Sequence, residues 1–445
     1  MLAPFATRGF RFQWSADLMT SWAFEMETLI LGWYILVQTG SVLLLTLFAS
    51  LQFLGTLVAP VYGLAGDRFG HRIVLGLMRG SFALLAALLA TMTVTASLSP
   101  ARVLLLAGLA GLVRPSDVGM RNVLIGETVP GDRLMGAISL SRLTTDTARV
   151  FGALAGAGVV AALGMGWAYG AIVVLYAASA VLTMRVVPPG TQSGVVPPGT
   201  QSGVVPPGTQ SGVVAPGTQS GVVARRASAA GAAPAATASP WRDLRDAARA
   251  VWEAPAQLAA MLLAFLMNLM AYPFTLGLLP YVAREVYGAA ETGLGYLMAA
   301  TGVGAIVASL VLSWMGPMVR PARMMVGFGL LWHALIVAFG HAGDMRLGLV
   351  LLVLIGMCSG LCLLPMSVLL LRGAAPVLRG RIMGMRTLAV YGLPIGLLVS
   401  GPLIRHAGFA ATATLYGVAG LLCTLLILAC WRRHLWPVDA TANHG

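Results

Sequence analysis

The chain contains no lysine; all 28 of its basic residues are arginine. Charge of any kind is scarce, at 10% of the sequence, against about a quarter in soluble proteins. With 58% hydrophobic residues, the chain has too little polar surface to cover itself, so part of its solvent must be lipid. The lack of lysine excludes a Gly-x-x-x-x-Gly-Lys-Ser/Thr phosphate loop, and with it transport driven by the chain's own ATP hydrolysis. There is no His-Glu-x-x-His, no acidic metal triad and no nucleophile elbow, so an enzyme is not expected. No cofactor is expected either. The four cysteines, Cys358, Cys362, Cys423 and Cys430, all sit in apolar runs and offer no disulfide framework. The net charge of +13 would suggest nucleic acid in a soluble domain. Here the arginines fall mainly in short loops between apolar runs, which points to membrane orientation and away from nucleic acid.

What the sequence has in abundance is apolar length. A membrane-crossing helix needs about 20 mostly apolar residues. Twelve such runs are expected, near 14–37, 42–65, 73–95, 102–124, 136–162, 166–184, 257–282, 291–314, 322–342, 346–370, 382–404 and 409–431. The first run is expected to double as the insertion signal, with no cleaved signal peptide expected at Met1 to Phe12. Alternate loops hold Arg68, Arg72, Arg133, Arg225, Arg226, Arg320, Arg323, Arg379 and Arg381. The opposite loops hold Arg102, Arg284, Arg346 and Arg405. The arginine-rich side, with Arg8, Arg11, Arg432 and Arg433, is expected to be cytoplasmic and to carry both termini. The fold class is therefore an all-α membrane protein with two six-helix bundles, 1–185 and 257–434, and a short tail, 435–445.

Between the bundles, 186–240 reads as a disordered cytoplasmic linker. From Val186 to Gly221 it repeats Val-Val-Pro-Pro-Gly-Thr-Gln-Ser-Gly three times, then once more with Ala215 in place of a proline. Nine residues of this composition cannot bury a core. Residues 241–256 then read as an amphipathic interfacial helix. Trp241, Leu244, Ala248, Val251 and Trp252 recur at helical spacing, with Arg242, Asp243, Arg245, Asp246 and Arg249 between them.

The loop after the second run reads Gly63-Leu64-Ala65-Gly66-Asp67-Arg68-Phe69-Gly70-His71-Arg72. A plain cytoplasmic loop needs the arginines but not the acid or this glycine spacing. Gly63, Asp67, Arg68, Gly70 and Arg72 match the signature loop of the major facilitator superfamily, which the chain resembles; His71 replaces one basic residue. The resemblance implies that Asp67 helps to lock the cytoplasm-closed state, with Arg121 as candidate partner. The corresponding loop, Gly316 to Arg323, has no acid. Further segments narrow the resemblance: Gly32-Trp33, Gln38 to Ser41, Ala148 to Gly156, Arg379 to Gly384 and Tyr391-Gly392. They are similar to the transmembrane secretion effector branch, which includes the enterobactin exporter and drug efflux proteins. This implies export of a small molecule in exchange for protons, across a bacterial inner membrane, by a monomer. Gly152, Gly156 and Gly158 resemble the antiporter kink, but Ala153 stands where its proline would be; small residues at this spacing also serve close helix packing.

Charges inside the runs are expensive and need partners or a water-filled cavity. Arg114, Asp117 and Arg121 lie three and four residues apart, as do Arg142, Asp146 and Arg149, so each acid shares a helix face with two bases. These sets read as self-neutralised ladders or as cavity charges, with Arg114, Asp117, Asp146 and Arg149 the candidates. Asp17 is near enough to the cytoplasmic end to be solvated. Glu25 and Glu27 have no base nearby in sequence, so they are the candidate proton carriers, Glu27 first. The second half is plainer, with Asn268, Tyr272, His333 and Tyr391 as polar points, and suits the greasy wall of a cavity for a siderophore, drug or similar amphiphile. A lysophospholipid or sugar cargo fits the same fold. From another class, Cys358, Cys362 and Met366 at four-residue intervals would suit copper handling, though all three are also ordinary apolar fillers.

Overall fold

A computed structural model describes residues 3–56, 58–186, 252, 254–315, 320–372 and 389–435. The expected linker beyond Val186, the expected interfacial helix up to residue 251, and residues 373–388, where the eleventh run begins, lie outside the described residues. Within them the chain is helical, with no strand. Lipid offers no hydrogen bonds, so a spanning segment must satisfy its own backbone, and helix is the local solution.

The N-terminal half holds α1 (Arg8–Thr39), α2 (Val42–Leu51), α3 (Ala59–Phe69), α4 (His71–Val94), α5 (Pro100–Thr128), α6 (Gly131–Leu163) and α7 (Met165–Met184). The C-terminal half holds α8 (Pro255–Leu266), α9 (Glu291–Met315), α10 (Pro321–Gly340), α11 (Met345–Arg372) and α12 (Gly392–Cys430). Among the described residues, eight helices are long and apolar enough to cross a bilayer, nine if the bent pair α2–α3 counts as one. The charge-bearing α5 and α6 are among them; α1, with as many charges, is not. α12 is two helices that fold back on each other at Gly408, whose φ of 83° and ψ of 170° are not helical; Tyr416 Oη donates across the turn to the Gly396 carbonyl at 2.7 Å. Gly164, between α6 and α7, has φ 84° and ψ 171°. Both halves thus turn at the same point with the same glycine-favouring geometry, as two internal repeats would.

In the first half α1 packs against α6 and α7, and α4 packs against α7. In the second, α9 packs on α11, and α10 on α11 and α12. There the helices touch backbone to backbone: a Cβ at Gly304 would stand 2.0 Å from the Val353 carbonyl oxygen. Small residues permit this approach, and dispersion and packing hold it without help from water. An aromatic cluster fills the C-terminal core, with the Phe409 ring 5.9 Å from Phe274 and 6.0 Å from Phe339.

The halves meet along α6 with α9 and α2 with α12. A Cβ at Gly295 would lie 2.7 Å from Ala157, one at Gly302 2.7 Å from Val150, and one at Gly401 2.5 Å from Thr46. Arg284 Nη1 donates to the Leu36 carbonyl at 2.9 Å. Leu36, Thr46 and Ala157 all lie toward the end of the bundle at which α1 finishes. These contacts close that end, opposite the N-terminus.

Candidate transport site

Two buried charge networks run through the N-terminal half. The first centres on Arg79, in the middle of α4 and 0% exposed. Its guanidinium donates to Asp17 at 2.5 Å, Asp117 at 3.2 Å and Thr183 at 2.7 Å. Arg121 reaches Asp117 at 2.8 Å and Asp17 at 3.4 Å, and donates to Ser21 at 3.3 Å. Two acids and two bases from α1, α4 and α5 thus balance charge inside the bundle. The planar five-donor fork of arginine lets one side chain join three helices, which lysine's point charge does not match.

This arrangement corrects one expectation. Asp17 is buried and bonded to Arg79, not solvated, because α4 and α5 cover it. Arg121 is held here by Asp117 and Asp17; its expected contact with Asp67 belongs to the cytoplasm-closed state. Asp67, whose side chain is 75% exposed, lies 3.5 Å from His71, and His71 Nδ1 is 2.7 Å from Glu127. Arg79 itself escaped the sequence reading. Its one signal was an arginine amid an apolar run with no acid on its own helix.

The second network lies nearer the seam between the halves. Arg114 Nη2 donates to Glu27 Oε2, and Tyr176 donates to the same oxygen at 3.0 Å. Arg114 also donates to Gln52 at 2.7 Å and Thr28 at 3.3 Å, and its guanidinium sits 4.1 Å from the Phe24 ring centroid. Glu25, two residues away and so on another face of α1, pairs with Arg149 at 3.7 Å. Glu25 and Glu27, without a base nearby in sequence, find theirs on α5 and α6, over 80 residues away. The two ladders separate accordingly. Asp117 keeps Arg121 while Arg114 turns to Glu27; Asp146 keeps Arg142 at 3.4 Å while Arg149 turns to Glu25.

Arg149 faces the second half. A Cβ on Gly302 of α9 would come within 3.4 Å of its Cβ, Tyr272 acts on it electrostatically, and its side chain is 27% exposed. Tyr272 packs edge-on to Trp332 at 5.0 Å. The site is thus a charged wall on α1, α5 and α6 opposite an aromatic wall on the second half. Glycine 152 and glycine 156 seat α6 on α1, where a Cβ would meet Glu25 Cβ at 3.1 Å and Met26 Cα at 3.0 Å. Gly158, grouped with them in the sequence, has nothing within 4 Å and takes no part in that packing. His333 Nδ1 lies 2.9 Å from the Gly329 carbonyl, and its ring fills the notch left by Gly420. Cys358, Cys362 and Met366 are buried in the second half's core, where the Cys362 thiol contacts the Met325 carbonyl at 3.2 Å.

The sequence matches the Major Facilitator Superfamily over residues 14–394. No curated protein matches it. Among solved structures, an auto-inhibited POT family peptide transporter superposes with a TM-score of 0.68 at 14% identity, covering 98% of this chain and 99% of its own. The nucleoside transporter NupG gives 0.64 at 14%, with 96% and 99% covered. The human organic anion transporter MFSD10 gives 0.60 at 17%, with 94% and 99% covered. At these identities the likeness is one of fold.

Proposed function

The chain belongs to the Major Facilitator Superfamily, and we propose that it exports a small amphiphilic molecule, a siderophore, drug or similar, in exchange for protons. The arginine-rich loops assign the N-terminal end to the cytoplasm, so the closed end faces outward. The observation that carries the reading is two acid–base contacts two residues apart on α1, Glu27 with Arg114 and Tyr176, and Glu25 with Arg149, the second of them at the seam. A proton on Glu27 removes the carboxylate that holds Arg114. An unpaired buried cation is costly, so Arg114 turns to Glu25, the next acid. A cargo group that donates to Glu25, a cation or a hydroxyl, is then displaced. Proton and cargo compete through Arg114, and competition makes the cycle an exchange. The aromatic second half supplies apolar contact for the rest of the cargo.

The test is transport into inverted membrane vesicles, with an imposed pH gradient and after its collapse. Exchange requires uptake with the vesicle interior acidic, and cargo affinity that weakens as pH falls. Affinity that strengthens as pH falls would instead mean an acidic cargo riding with the proton on Arg149, and would overturn the exchange reading.

Asp67 is proposed to act at the cytoplasmic end. Exposed at the C-terminal end of α3 beside His71, it is placed to exchange that contact for another when the end closes. Asp67→Ala should slow turnover about tenfold, a loss of about 1.4 kcal/mol, with unchanged insertion. Wild-type turnover in vesicles would remove the gating role.

A further inference from the structure

Two small cavities lie end to end beside α1. The inner one, about 10 Å³, is lined by Glu27, Leu31, Leu106 and Arg114. The outer one, about 20 Å³, is lined by Gly32, Leu45, Gly277 and Pro280, residues of both halves. Thr28, Phe48 and Gln52 line both. Each is of the size that holds about one water molecule. Between them Thr28 Oγ1 donates to Gln52 Oε1 at 3.2 Å.

Gln52 is held there by backbone. It ends α2, and the chain presses on α5 immediately around it: a Cβ at Gly111 would stand 1.9 Å from the Leu51 carbonyl oxygen, and one at Gly55 2.0 Å from that of Leu112. That contact fixes the Gln52 amide over Arg114, whose Nη1 donates to it at 2.7 Å. Arg114, which lines the inner cavity, has its Nε buried without a hydrogen-bond partner. With Thr28, Gln52 and Glu27 in the same lining, it marks a place for water, which needs two or more partners.

We propose that these cavities are the proton's entry to Glu27 from the outer side, with Thr28 as relay and Gln52 as the residue that positions it. The inference rests on Glu27 as proton carrier. A proton passes from water in the outer cavity to the Thr28 hydroxyl, which gives up its own to water in the inner cavity. That water protonates Glu27, forming one O–H bond as the contact with Arg114 Nη2 is released. The hydroxyl both donates and accepts, as a relay must. Gln52, through Oε1, keeps Arg114 Nη1 while Nη2 leaves neutral Glu27 for Glu25. The same α2 carries Thr46 and Ala49 into the outer seal, so opening that seal brings bulk water to the outer cavity.

Thr28→Val keeps the shape and removes the hydroxyl. Proton-driven transport should fall about tenfold, with cargo counterflow at equal pH unchanged. Thr28→Ser should restore the drive. Gln52→Leu should also lose the drive while keeping counterflow. Thermal unfolding in detergent separates misfolding from lost coupling, and Thr28→Ser, which retains the hydroxyl, carries the decision if Thr28→Val is unstable: a loss of drive there equal to that in Gln52→Leu overturns the relay. Full drive in both Thr28→Val and Gln52→Leu, with drive lost in Glu27→Gln, overturns the route alone. Full drive in Glu27→Gln overturns the proton carrier, and the route with it.

Discussion

Arg79→Leu should destabilise the folded chain by about 3–5 kcal/mol, the cost of leaving buried charge without its partner. Arg79 is fully buried and satisfies Asp17, Asp117 and Thr183 together. Leucine would leave two carboxylates facing Arg121 alone. A domain's total stability is about 5–15 kcal/mol, so the variant should insert poorly and unfold early in detergent. Arg79→Lys should recover part of the loss, since one ammonium reaches fewer partners than the guanidinium fork. Pairing Arg79→Leu with Asp17→Asn removes one charge of each sign and leaves the Asp117–Arg121 pair at 2.8 Å. The double variant should be more stable than the sum of its parts, with a coupling energy of about 0.5–3 kcal/mol. An unfolding midpoint for Arg79→Leu equal to wild type would show that the cluster is hydrated and adds little.

Glu27→Gln should abolish proton-driven transport, by about a hundredfold or more, or roughly 2.7 kcal/mol, and weaken cargo affinity independently of pH, while counterflow survives at saturating cargo. Glutamine has the shape of protonated glutamate but carries no exchangeable charge. It fixes the site in the state in which Arg114 has lost its anion. Arg114 keeps Gln52 and Thr28 as acceptors and the Phe24 ring as a cation–π partner, so the fold should survive. Counterflow at equal pH is the control that a merely structural defect would also lower. Glu25→Gln should behave differently: it removes the acid opposite Arg149 and should weaken cargo binding more than drive. Drive retained in Glu27→Gln and lost in Glu25→Gln would reverse the two roles.

Much of the fold was legible because its signals are local. Apolar length marks helices, and arginine asymmetry between alternate loops carries the expected orientation. The loop from Gly63 to Arg72 was legible for the same reason. The charge partners were not. Spacing placed Asp117 with both Arg114 and Arg121, and Asp146 with both Arg142 and Arg149, because residues three and four apart share a helix face. In the folded chain one arginine of each set leaves for a glutamate on α1.

The sequence by itself determined that the chain is helical, apolar and rich in buried charge, since the bilayer forces each spanning segment to satisfy its own backbone. Only the tertiary structure decided which acid meets which base. That choice depends on how α1, α4, α5, α6 and α7 rotate against one another, and packing sets rotation through contacts 38 or more residues apart. It gave Arg79 to Asp17 and Asp117, Arg114 to Glu27, and Gln52 its place above Arg114. The absence of lysine, visible in the first reading, acquires its physical sense here: each buried base engages its partners through a guanidinium, and Arg79 uses three of its nitrogens at once.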